Sequence, residues 1–203
     1  MDTLSNAETA LLGLLSEEPM YPYQIERHVA YRDMRFWTEL SMSSIYKLLP
    51  KLEKSGFVTR TNRISPENRL RALYTISEKG KRALRKKLEM LLSEPEHVRW
   101  RIDIGTYNCD LLPRGKARAS LQKYREALKE KIAEYEKLLK FLHDERCPAH
   151  RYGVATRPIF LMKGEMQWVD SYLVRFVKTL PAAVSRGRKM KGAEDDAPRS
   201  GNP

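Results

Sequence analysis

The stretch "SMSSIYKLLPKLEKSGFVTR", residues 41–60, limits the possible folds more than any other part of the chain. Its apolar side chains at Ile45, Leu48, Leu49 and Leu52 are spaced i, i+3, i+4, i+7, the pattern of a helix with one buried face. At about 100° per residue, Lys47, Lys51 and Lys54 fall on the opposite side. Ser43 and Ser44 stand at the N-terminal end, where hydroxyls and backbone N–H groups can meet a phosphate. Gly56 is suited to stop the helix. Pro50 is the misfit, since it removes the bond to the Tyr46 carbonyl at a cost of about 3 kcal/mol or a kink. The apolar spacing continues to Leu52, which predicts a helix that bends at Pro50 rather than ending there.

The flanking segments define the setting of that helix. Ser5 to Glu8 reads as a capping box, and the helix it opens has Leu11, Leu12, Leu14 and Leu15 on its buried side. A second helix starts with Pro22 in its first turn and directs Tyr23, Ile25 and Val29 inward. After the third helix, Phe57 to Ile64 reads as a strand, Ser65 to Asn68 as a turn, and Ala72, Tyr74 and Ile76 as the inner face of a second strand. Arg60, Arg63, Arg69 and Arg71 rim this hairpin. Ser77 can cap a fourth helix to about Leu92, with Leu84, Leu88 and Leu91 on one side. Three helices, a basic hairpin and a further helix are the order of a winged helix-turn-helix, placed here over residues 5–92.

Charge separates these segments. Residues 1–40 hold three basic and seven acidic side chains, whereas residues 41–87 hold thirteen basic and three acidic ones, within a chain of net charge +12. A lysine face alone is an ordinary solvated surface, but an arginine-rimmed hairpin directly after it makes a polyanion the natural partner. Lys47 and Lys51 are candidates to meet guanine edges, and the other cations to meet phosphates. No long apolar run or leader-like N-terminus is present, and there are two cysteines, Cys109 and Cys147. A cytoplasmic protein without a membrane span or disulfide framework is expected.

The second half, residues 93–181, reads as a helical domain. Residues 96–110 look helical but weakly patterned. From Arg114 to about Glu145 the apolar positions are Leu121, Tyr124, Leu128, Ile132, Tyr135, Leu139 and Leu142. From Pro158 to Leu180 they are Met162, Met166, Val169, Leu173, Phe176 and Leu180. Two near-heptad seams should pack along each other in a compact bundle. Each seam can close within its own chain or cross to a second subunit. Residues 182–203 are polar and rich in Gly, Pro and charge, and are expected to be disordered.

Chemical motifs are few. Trp37, Trp100 and Trp168 are candidates to line a small-molecule cavity, and equally candidates for ordinary packing. His143, Cys147 and His150 are metal-binding residue types, but Pro148 interrupts them and no second cluster supports them, so no metal or other cofactor is expected. No glycine-rich phosphate loop, nucleophile elbow or paired metal motif appears, so no catalytic residues are assigned and an enzyme is not expected.

The stretches "ALLGLLSEEPMYPYQI", "SSIYKLLPKLEKSGFV" and "LRALYTISEKGKRAL" occur in the order found in the N-terminal domain of PadR-type transcriptional regulators, which residues 5–90 resemble. The helical second half is similar in layout to the dimerisation region of the larger PadR subgroup. The resemblance implies a homodimeric regulator, usually a repressor, whose third helix enters the major groove of double-stranded DNA while the hairpin lies along the backbone. It would bring Ser43, Ser44 and Tyr46 to the DNA backbone and give Arg69 or Arg71 to the wing. It would also favour Leu121, Tyr124, Leu128, Ile132, Tyr135, Leu139, Met166 and Leu173 as a dimer interface, with release by a small-molecule effector. The sequence departs from the family pattern at Pro22, at Met42 and Ser43, and at Pro50. A winged-helix adaptor that meets an acidic protein instead of DNA is the competing expectation.

Overall fold

In the computed structural model, which describes residues 4–64, 70–180 and 182, the first helix, α1 (Asn6–Leu15), starts on the expected capping box. The Glu8 amide donates to Ser5 Oγ at 3.2 Å, and the Ser5 amide donates to Glu8 Oε2 at 2.8 Å. Helix α2 (Pro22–Tyr31) has Pro22 at its first position, and α3 (Met42–Lys54) runs through Pro50 without a break. Leu11, Leu12, Ile25, Val29 and Ile45 from these helices have no exposed surface and form the centre of one core. The helix spacing read from the sequence is therefore the spacing of the buried face.

Gly56 ends α3 in the left-handed region at φ 71°, which glycine adopts without steric cost. Strands β1 (Val58–Ile64) and β2 (Leu70–Ile76) pair antiparallel with Val58 opposite Ile76 and Arg63 opposite Arg71. Met20 adds a bridge to β2, its amide and carbonyl each bonding Tyr74 at 3.0 Å. This third ribbon segment had no signal in the sequence reading. Val58, Tyr74 and Ile76 are buried and close the core from the hairpin side. The turn at Ser65 to Asn68 and the wing candidate Arg69 lie outside the described residues.

Helix α4 (Glu78–Ser93) is capped by Ser77, whose Oγ accepts the Gly80 amide at 3.0 Å. Gly80 lies so close to the end of α3 and the start of β1 that an added Cβ would be 2.1 Å from the Phe57 carbonyl oxygen. Only the first turns of α4 join the core. Leu84 is buried, but Leu88 and Leu91, expected on the same buried side, are exposed. A periodic apolar stripe shows which face of a helix is apolar but not how far along its length a core covers it.

Contacts divide the chain into two units, Met1–His97 and Val98–Pro203. In the second, α5 (Arg101–Tyr107) is shorter than the helical stretch expected over 96–110. Helices α6 (Arg114–Asp144) and α7 (Tyr152–Arg175) then pack antiparallel. The direction is fixed by Arg114 Nε on the Leu180 carbonyl at 2.8 Å, Arg125 on Asp170 at 2.7 Å, and Lys163 on Glu136 at 3.5 Å. Helix α7 begins six residues before Pro158, the expected start. Its early turns bury Ala155 and Ile159, which extend the seam, so packing outweighs the proline's lost hydrogen bond. At the other end the helix stops at Arg175, leaving Phe176 exposed while Val177 is buried. Among the described residues, no helix is long and apolar enough to cross a membrane.

Candidate nucleic-acid interface

The exposed side of α3 follows from its buried one. With Ile45, Leu49 and Leu52 turned into the core, helical periodicity directs Ser43, Lys47, Pro50 and Lys54 away from it along one line. Pro50 therefore faces outward, where the freed Tyr46 carbonyl does not have to find a partner in the core. Tyr46 is 53% exposed, which makes it a surface residue and not a packing one. Among the described residues, Lys47 and Lys54 have no acidic partner.

The N-terminal end is built one residue earlier than the serine pair suggested. Ser41 is the cap: its Oγ accepts the Ser44 amide at 3.2 Å, and its amide donates to Ser44 Oγ at 2.7 Å. The Ser44 hydroxyl is thus committed to the cap, while Ser43 Oγ lies 3.1 Å from Ser41 Oγ on the exposed side. The Ser41-x-x-Ser44 spacing, a variant of the capping box, was the signal that could have found it.

Lys51 differs from the other two lysines. Its Nζ lies 2.8 Å from Oε1 of Glu8, a carboxylate that is 5% exposed in the first turn of α1. Burial pushes the Glu8 carboxyl upward, but Lys51 and the Ser5 amide and hydroxyl outweigh it, and its pKa falls below the ordinary value. Part of the Lys51 charge is therefore used inside the unit, to join α1 to α3. The sequence reading grouped Lys51 with the partner-facing cations because Glu8, 43 positions earlier, gave no sign of reaching it.

The hairpin arginines also separate. Side chains alternate across a strand, so Arg60, opposite Tyr74, shares the face of Val58 and Ile76, whereas Arg63 and Arg71 share the other face. Arg60 Nε donates to Asn62 Oδ1 at 3.3 Å. Burial raises the pKa of Tyr74, with Arg60 acting in the opposite sense. Arg63 is exposed and directly opposite Arg71, so their charges add at one place. The guanidinium of Arg71 sits 5.5 Å over the ring of Tyr23, which itself stacks on Tyr21 at 5.7 Å. Tyr23, expected to point inward, is 41% exposed and supports Arg71 instead. It is the first helical residue after Pro22, and it points from the first turn of α2 to Arg71 while Ile25, two positions on, enters the core.

In the second unit, the α6 seam closes on its own chain. Leu121 is buried with Val169, Val177 and Leu180, with Tyr124 and Leu173 packed against that group. Leu128 and Ile132 are buried as well. The Tyr124 hydroxyl makes a short hydrogen bond to Glu165 of α7. Met166, Tyr135 and Leu139 are half-buried. Of the eight side chains expected at a second subunit, Leu121, Leu128 and Ile132 are buried within the one chain and the other five are half-buried. A near-heptad seam announces a partner helix without saying whose, and after a turn of a few residues α7 is the nearest.

Trp100 and Trp168 do come together, lining a groove of about 340 Å³ with Ile102, Asp103, Leu161, Gly164 and Glu165. Trp37 belongs to the first unit and is exposed after a short 3-10 turn, Met34–Phe36. His143, Cys147 and His150 lie around the α6–α7 turn, and among the described residues no group of three metal-binding side chains gathers.

Residues 11–86 match the profile of the transcriptional regulator PadR-like family, and these residues hold α1 to α4 and the hairpin. Over these residues the chain is similar to the PadR-like family. The negative transcriptional regulator PadR of Bacillus subtilis (strain 168) is 27% identical to it over 176 residues, covering 83% of this chain and 96% of that protein. The crystal structure of Bacillus subtilis PadR in complex with operator DNA has the same fold, with a TM-score of 0.67 at 24% identity over 82% of this chain and 96% of that one. The same protein in complex with p-coumaric acid gives 0.67 at 24% identity, over 82% and 92%. The relatives it matches are transcriptional regulators, not enzymes, and the chain shares their winged helix and helical C-terminal region.

Proposed function

We propose that this PadR-like regulator is a repressor that binds operator DNA as a homodimer and is released by a small-molecule effector. The observation that carries the reading is that Lys47 and Lys54, on the outward line of α3, have no acidic partner among the described residues, while Arg63 and Arg71 face each other across the hairpin of the same unit. Ser43, Tyr46 and Lys47 face the DNA from α3. Lys54, Arg60, Arg63, Arg69 and Arg71 neutralise phosphates, and Ser44 holds the helix end. Lys51 acts chiefly through Glu8.

The relatives support this reading: Bacillus subtilis PadR is a negative regulator, and its structures are with operator DNA and with p-coumaric acid. Dimer formation uses apolar surface that the α6–α7 pair leaves outside, such as Leu138 and Phe141 on α6 and Phe160, 77% exposed, on α7. A two-fold dimer presents two copies of α3 about 34 Å apart, so the operator is a palindrome with half-sites one turn apart. Footprinting on the DNA upstream of the gene tests this. Two protected half-sites are expected; a single asymmetric half-site contradicts the dimer, and binding to an acidic protein without DNA protection favours an adaptor.

A further inference from the structure

The groove on the second unit has a charge opposite to that of the chain around it. Two indoles, Trp100 and Trp168, form its walls with Leu161, and Gly164 leaves open space above α7. Among the described residues, the charged side chains that line it are Asp103 and Glu165 and no lysine or arginine does so, in a chain of net charge +12. Among the described residues neither carboxylate has an ion-pair partner.

We propose that this groove binds a small aromatic cation, such as a quaternary ammonium or a protonated ring amine, and that such cations are the effector class of this regulator. The second clause rests on the effector reading above; the first stands on the groove alone.

The groove's volume of about 340 Å³ lies near the lower limit of small-molecule sites, enough for one ring with a compact head group. A cation over an indole face is attracted by the ring quadrupole, and most strongly by tryptophan. Trp168 is held for this by Tyr172, whose ring lies 5.2 Å away at an interplanar angle of 30°. Glu165 is oriented by the Tyr124 hydroxyl. Burial, together with the Glu165 carboxylate beside it, pushes the Tyr124 pKa up to about 12, so the phenol keeps its proton and donates throughout the neutral range. Among the described residues that line the groove, an anionic ligand would meet two carboxylates and no cation. The groove therefore selects against the ionised form of an acid such as p-coumaric acid, which Bacillus subtilis PadR binds.

The test is calorimetric titration of the full chain with phenyltrimethylammonium, with its uncharged carbon isostere tert-butylbenzene, and with p-coumarate. The cation should bind about tenfold more tightly than the isostere, and p-coumarate weakest of the three. Asp103→Asn with Glu165→Gln should reduce the preference for charge to the part the two indoles supply and keep the binding of the isostere. Gly164→Leu should block all three ligands, with a thermal melt confirming that the helices remain folded.

Equal or tighter binding of the isostere or of p-coumarate overturns the proposal. So does no binding of any ligand, or a charge preference left undiminished by both carboxamide substitutions. A parallel gel shift separates the two readings. If the cation binds and the chain ignores DNA, the operator reading fails and the groove stands. If DNA binds and the cation does not, the groove fails alone.

Discussion

The two units bury their apolar residues to different degrees. The first covers Leu11, Leu12, Ile25, Val29 and Ile45 completely and turns lysines, arginines and serines outward. Among its described residues the second buries only Val169 to that degree and leaves Ile104, Tyr107, Phe160, Val174 and Phe176 largely exposed. A closed core with a charged face is complete as a folded body and meets its partner through electrostatics. An open apolar surface calls for cover by another surface, and a second copy of the chain supplies it in the dimer reading. The comparison teaches that a net charge or a percentage of hydrophobic residues, averaged over the whole chain, hides two different physical designs.

Gly80→Ala should break the first unit most severely. Its Cβ would meet a backbone carbonyl at 2.1 Å, where no flexible side chain can give way. A loss of about 3 kcal/mol is expected from overpacking, read as a lowered melting temperature. A change within experimental error would show that the α4–β1 packing is looser than described. For the second unit, Phe160→Glu should weaken self-association at least tenfold, about 1.4 kcal/mol, by sedimentation, with the melting of the monomer little changed because that side chain is outside the α6–α7 core.

Lys51→Met should cost about 1 kcal/mol, discounted because the lysine is 65% exposed. The folded Glu8 is more acidic than its ordinary value of 4.5, so the pair contributes stability above about pH 4.5 that is lost as pH falls through the folded value. Wild type should lose stability in that acid range, and Lys51→Met should lose less of it. A variant whose acid dependence equals wild type would detach Lys51 from Glu8. Tyr23→Leu is the smallest expected effect, about 0.5 kcal/mol of DNA affinity through the freed Arg71, with rescue by Tyr23→Phe.

These effects also mark what the sequence could and could not tell. The helices, the hairpin and the exposed line of α3 were legible because period-3.6 and period-2 patterns are local. The separation of Lys51 from Lys47 and Lys54 was not, since it depends on a carboxylate in another helix. The Tyr23–Arg71 stack and the Met20–Tyr74 bridge were hidden for the same reason: they join positions about fifty residues apart. Trp100 and Trp168 were legible as candidates, but Asp103 and Glu165, which set the character of the groove, were two acids among many in a charged chain. That the α6 and α7 seams pack along each other was legible, but which copy of the chain covers α6 was not, because periodicity carries no information about it.

The most direct test of the cationic face is the salt dependence of duplex binding by wild type, by Lys47→Ala with Lys54→Ala, and by Lys51→Met. If a dimer neutralises six to ten phosphates, wild-type affinity should fall about 10³- to 10⁵-fold between 50 and 200 mM salt. The double alanine variant should flatten that slope by roughly one unit for each phosphate it no longer neutralises, while Lys51→Met leaves it nearly unchanged. No duplex binding in dilute buffer, or a slope indifferent to Lys47 and Lys54, would contradict the assignment of this surface to DNA.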